Sequence, residues 1–213
     1  KDGGWGAGSH SSQNVLDPHA VQPDPATTSM VGMALLRNGT TLETGQFHAQ
    51  LKKAVNYILV QIETSEPNSL NITNLTGTQI QTKLGQNIDV VLASQFLTNL
   101  IEKLPENYAQ RGRVDKALNV CVDKIQMGQM KDGSSQGAGW AGVLQSSLAS
   151  NALEAAEYAG ADVDVAKLDQ ARQYQKDNFD ENTGNVNTDK GAGIVLYSVS
   201  GSARSSAKEA RKV

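Results

Sequence analysis

The stretch QMGQMKDGSSQGAGW, running from Gln126 to Trp140, reads as a helix end passing into a glycine-rich turn. The chain opens at Lys1 with nearly the same words, KDGGWGAG. Glycine supplies backbone angles closed to other residues, and aspartate bonds to N–H groups just ahead of it, so Lys-Asp-Gly is turn vocabulary. A turn stated twice in one chain points to a repeated unit, and its flanks say what that unit is.

The flanks are helical. Val114, Ala117, Leu118, Cys121, Val122 and Ile125 recur at the spacing of a single helix face. Phe47, Leu51, Ala54, Val55, Ile58, Leu59 and Ile62 form a second such stripe, and Ile88, Val91, Leu92, Phe96, Leu100, Ile101 and Leu104 form a third. A helix is expected from Pro25 to Asn38, with Asp24 as its cap, Pro25 in its first turn and Gly39 at a left-handed exit. Downstream, an alanine-rich helix is expected from Val143 to Tyr158. Asp164 can then cap another whose buried face would be Val165, Leu168, Ala171 and Phe179, and a last helical segment runs from Ile194 to Lys212. Strand patterning hardly competes, so the expected class is all-α.

The helices come in pairs that match in order. Ala34-Leu35 follows the first Lys-Asp-Gly turn and Ala152-Leu153 the second; the next helices carry Leu51-x-x-Ala54-x-x-Tyr57 and Leu168-x-x-Ala171-x-x-Tyr174. Between them lies a third pair, Gln86 to Leu104 and Ala109 to Gln129. A helical pair cannot bury its apolar stripe alone, and stacking pairs into an array or ring solves that problem.

Gln129-x-x-Asp132-Gly133-Ser134, with Asp2-Gly3-Gly4-Trp5, resembles the QW-type turn, Q-x-x-D-G-x-W, of the terpenoid cyclase and protein prenyltransferase superfamily. The first copy has no upstream Gln, and the second has Ser135 where Trp would stand. The resemblance implies stacked helical hairpins forming a partial or complete α/α toroid, with residues 1–213 as a single domain. A full toroid of that kind has six hairpins and this chain shows three and the start of a fourth, so it is expected to be a piece of a longer protein. The resemblance also implies that the motif is structural, its Gln capping a helix end and its aromatic ring packing on the next hairpin.

Composition narrows the function. The net charge of −3 comes without a basic stripe, which points away from nucleic acid and anionic membranes as main partners. No apolar run approaches the roughly 20 residues of a membrane span. One cysteine, Cys121, leaves no intramolecular disulfide. The low share of charged residues, with many Asn, Gln, Ser and Thr, suggests an exported chain, periplasmic or extracellular.

The chemistry such folds carry is sparsely written. Class II cyclases of the superfamily use an Asp in a D-x-D-D motif; the nearest text here, Asp162-Val163-Asp164-Val165, lacks the adjacent pair, and Asp164 has a plainer task as a cap. Cys121-x-Asp123 suggests the zinc site of a prenyltransferase, but Cys121 lies on an apolar stripe, as a core thiol would. The histidines His10, His19 and His48 lack helical metal-pair spacing, so neither a metal nor another cofactor is expected. Asp180-Glu181-Asn182-Thr183-Gly184 lacks the distal Glu of a calcium loop and reads as a turn. Arg37, Arg111 and Arg113 are the basic residues a polysaccharide lyase would draw on, though helix-end charge explains them as well. The ligand-binding candidates are His19 with Asp17 and Asp24 in a proline-flanked loop, and the turn aromatics Trp5 and Trp140. The expected function is a noncatalytic binding or scaffold domain, with a protein or carbohydrate partner at the concave or end face of the array. The alternative is an enzyme of the same fold, cyclase-like, prenyltransferase-like or a polysaccharide lyase. At 5% aromatic residues the chain has little with which to line a cavity for polyprenyl cations, which favours binding.

Overall fold

The computed structural model describes residues 2–8, 20–137, 140, 142–180 and 182–210. These residues are all-helical apart from two isolated bridges, Gln129 with Ser135 and Phe179 with Val186. The helices are α1 (Pro25–Arg37), α2 (His48–Glu63), α3 (Gln79–Leu84), α4 (Ile88–Ile101), α5 (Arg111–Met127), α6 (Gly142–Tyr158), α7 (Val165–Lys176) and α8 (Val195–Ala210).

Local chemistry sets most of the ends. The Asp24 carboxylate accepts the Thr27 N–H at 2.7 Å, Pro25 fills the first helical position, and Gly39 leaves α1 at φ +80°. Asp164 caps α7 through the N–H groups of Ala166 and Lys167. The short α3 is the helix that periodicity misses, because six residues show no repeat of 3.6. Its signal is the capping box Thr78-x-x-Gln81, in which each side chain bonds to the other residue's backbone N–H.

Packing orders the helices in two layers. α1 lies on α4, α4 on α6 and α6 on α8, while α2 and α5 touch each other and back α1 and α4, and α7 backs α6 and α8. Central α4 is buried on nearly every side; Ile88, Val91, Phe96, Leu97 and Leu100 all lie in the interior. Phe96 fits against α1 only because Gly32 has no side chain there: a Cβ would come within 2.4 Å of its ring. One apolar cluster runs from Ala26 in α1 to Leu168 in α7. The expected α7 face is corrected: Leu168 and Ala171 are buried, but Val165 is 50% and Phe179 39% exposed, and Arg172, Tyr174 and Gln175 are buried instead. A face spaced from Val165 to Phe179 assumed a helix that continues, whereas α7 stops at Lys176 and Phe179 stands in the next turn.

Both Lys-Asp-Gly turns make the same contacts. Asp2 accepts the Gly4 N–H and Asp132 the Ser134 N–H, each at 3.0 Å, and Gly3 and Gly133 have φ of +97° and +85°. A Cβ on Gly3 would lie 2.4 Å from the Lys53 carbonyl oxygen, and one on Gly133 would lie 2.2 Å from that of Gln170. Lys53 and Gln170 hold the same place in Leu-x-x-Ala-x-x-Tyr. The Trp5 N–H reaches Thr28 Oγ1 at 2.9 Å, as the Ser135 N–H reaches Ser146 Oγ at 3.0 Å. The upstream Gln129 bonds through Nε2 to the Lys167 carbonyl in the first turn of α7.

The turn glycines therefore carry two constraints at once, a left-handed backbone and a helix backbone pressed against them. Gly133→Ala should lower stability by about 2 kcal/mol or more. Gly142→Ala, in the first turn of α6 with open space around it, should be neutral or raise stability by up to about 1 kcal/mol. Urea unfolding followed by circular dichroism compares the two; equal midpoints would contradict the close packing.

Candidate functional site

The N-terminal ends of α1 and α4 bring together two buried carboxylates. Asp24 and Asp89 are both buried, at 1% and 0% exposure. Each is held by donors of the α1 N-terminus, Asp24 by the Thr27 N–H and hydroxyl and Asp89 by the Ala26 N–H at 2.9 Å, and Asp24 also takes the Ala7 N–H of the opening segment. The second Asp89 oxygen accepts from Gln81 Nε2 at 2.7 Å, which locks the α3 segment to α4. Burial pushes the Asp89 carboxyl up to about 6, against the lowering effect of these bonds, with the Asp24 charge adding to the rise. Burial also raises the Tyr57 phenol, assisted by Asp24, and its hydroxyl donates to the Pro23 carbonyl at 3.1 Å.

Of the candidates read from sequence, Asp24 and Trp5 meet at this place. The Trp5 backbone lies between Thr28 and Asp24, whose N–H donates to the Trp5 carbonyl at 2.9 Å. Asp24 thus has its acceptor capacity taken up by the fold. Trp140 belongs to the second turn; it is 60% exposed and stands edge-on to Tyr197 of α8, ring centres 6.1 Å apart. Asp17 and His19 lie outside the described residues, as does His10.

Of the basic candidates, Arg111 and Arg113 have structural partners, and Arg37 stands exposed in the last turn of α1. Arg113 makes a two-pronged contact with Glu63, at 2.6 and 2.8 Å, and holds its carboxyl below the usual range; Arg111 reaches the Leu104 carbonyl and Asp115. Sequence reading passed over Arg172, which is 3% exposed and lies within 3.0 Å of Glu154, 2.6 Å of Asp169 and 3.5 Å of Glu157. Only Asp169 stands at a helical spacing from it, so nothing local marks the cluster that ties α6 to α7. Cys121 is buried, and burial pushes its thiol up to about 12, while Asp123 is exposed elsewhere on α5. Among the described residues no three His, Cys, Asp or Glu side chains are placed to hold a metal ion, and no helix is long and apolar enough to cross a membrane.

Open space lies at the C-terminal ends of α1 and α4. A cleft of about 320 Å3 is walled by Leu42, Val55 and Tyr108 and rimmed by Glu43, Lys52, Asn56 and Gln110. A recess of about 80 Å3 shares Leu42, Glu43 and Tyr108 with it and adds Leu36, Leu100 and Leu104 as an aliphatic floor, with Lys103 at its edge. Arg113 donates to Asn56 Oδ1 at 3.2 Å, which fixes that amide with its NH2 group as the remaining donor. Gln110 precedes α5 without making a capping bond. These residues come from α1, α2, α4 and two loops, so no stretch of sequence displays them together. No protein-family model, curated protein or solved structure matches the chain.

Two outcomes follow from the buried groups. Because the folded Asp89 carboxyl binds its proton more tightly than an unfolded one, its contribution is full below about pH 4 and is lost as pH rises through about 6. That loss amounts to roughly 3 kcal/mol. Unfolding measured from pH 4 to 7 should therefore show wild type losing ground to Asp89→Asn as pH rises; parallel curves would contradict it. Cys121 in the folded chain should label with a thiol reagent at pH 8 far more slowly than in urea, since burial leaves almost no thiolate.

Proposed function

We propose that this chain is a noncatalytic, exported binding or scaffold domain with the α/α-toroid architecture of the terpenoid cyclase and prenyltransferase superfamily, and that it engages its partner at the cleft end of the array. Two features support the architecture: the succession α1, α4, α6, α8 backed by α2, α5 and α7, and the turn contacts shared by Gly3 and Gly133. The observation that carries the function is the division of labour between the two ends. Groups a reaction would draw on, Asp24, Asp89, Asp164, Arg113 and Arg172, are committed to caps and ion pairs. The concave space instead offers aliphatic walls, one phenol ring, two side-chain amides and a few charges, the composition of a recognition site. Export rests on the polar, lightly charged composition.

The test is an assay of the folded chain against polyprenyl diphosphates and acidic polysaccharides, with His19→Ala and Asp24→Ala alongside. No turnover is expected. Turnover that either substitution abolishes, with the helical spectrum preserved, would establish the enzyme reading of the same fold and overturn this one.

A further inference from the structure

Resting on the binding reading above, we infer that the cleft between α2 and the loops after α1 and α4 takes an extended protein segment, anchored by one aliphatic side chain with a carboxylate close behind it. The aliphatic anchor follows from the recess, which Leu36, Leu42, Leu100 and Leu104 line together with Tyr108. The carboxylate follows from the rim, where Lys52 and Lys103 are both exposed and neither ammonium has an ion-pair partner among the described residues. One acid, Glu43, stands between them, which leaves the rim net positive. The peptide backbone follows from the amides. Asn56 has its oxygen taken by Arg113 and its NH2 left to meet a carbonyl, while the exposed Gln110 makes no capping bond and its amide can meet both an N–H and a carbonyl. A sugar would call for more aromatic surface than the one ring here, and a free fatty acid would leave the amides unmatched.

The probe is acetyl-Gly-Leu-Asp-Gly-amide, titrated to millimolar concentration into the 15N-labelled full chain and followed by amide shifts. Saturable shifts are expected at Tyr108, Lys52 and Glu43. Replacing the probe's Leu by Ala should weaken binding about tenfold, the loss of a buried aliphatic side chain. Replacing its Asp by Asn should weaken it about threefold. That second difference should vanish in a Lys52→Gln, Lys103→Gln variant, whose two sites are exposed and whose fold is checked by its spectrum. A probe that shifts nothing in the cleft, or that binds equally with Ala for Leu, overturns the inference. Saturable shifts of the same amides by maltohexaose, without any by the peptide, overturn the inference and leave the binding reading standing. Chemical conversion of either probe overturns the noncatalytic reading itself.

Discussion

The structure depends on the burial of α4. A helix enclosed by α1, α3, α5 and α6 must be apolar on nearly all sides, and a polar group it retains is costly unless it finds a partner inside the protein, as Ser94 Oγ does not. Asp89 meets that demand by bonding outward to Ala26 of α1 and Gln81 of α3, so the residue most costly to bury also fixes two neighbours in place. Thr98 turns its hydroxyl back to the Gln95 carbonyl in the preceding turn. Gly32 completes the arrangement from the other side by letting the Phe96 ring approach the α1 backbone.

Away from α4 the interior changes character. Both halves bury polar side chains, but the α1–α5 half sets them among most of the buried Leu, Ile and Val, whereas in the α6–α8 half Gln145, Ser146, Ser147, Ser150, Arg172, Gln175, Ser198 and Ser202 lie among few large aliphatic residues. Small residues permit close approach: Gly201 lets α8 lie against the Gln175 side chain, with a would-be Cβ at 2.2 Å from its amide oxygen. α8 consequently sits with Ser198, Gly201 and Ser202 inward and Val195, Leu196 and Val199 exposed, the reverse of what an amphipathic helix packed by its apolar stripe would do. The pairing of Arg172 with Glu154 and Glu157 then joins α7 to α6. Breaking such a buried pair is costly, although its net contribution over an apolar pair is small.

The same economy separates the two ends of the molecule. Where α1 and α4 begin, helix N–H groups without intrahelical partners draw in the carboxylates of Asp24 and Asp89. Where α1 and α4 end, the loops that return the chain to α2 and α5 stand apart, and the space between them is lined by whatever side chains the loops bring.

What the sequence determined by itself is what depends on neighbours along the chain. Asp24-Pro25 and Gly39 mark the ends of α1, Asp164 starts α7, and the stripes of α2, α4 and α5 are readable because the contacts of a helix face recur every three or four residues. The Lys-Asp-Gly turns were legible for the same reason, since Asp2 and Asp132 bond within two residues. Asp24 was legible as a cap, and its burial beside Asp89 was not, because the Ala26–Asp89 bond joins residues 63 positions apart. Tertiary structure alone decided that Arg113 pairs with Glu63, that Arg172 is buried, that Val165 and Phe179 are exposed, and that Leu42, Lys52, Asn56 and Tyr108 share a cleft. These outcomes arise from which helix covers which, and that is set by summed packing over distant segments, which leaves no periodic trace in any one of them.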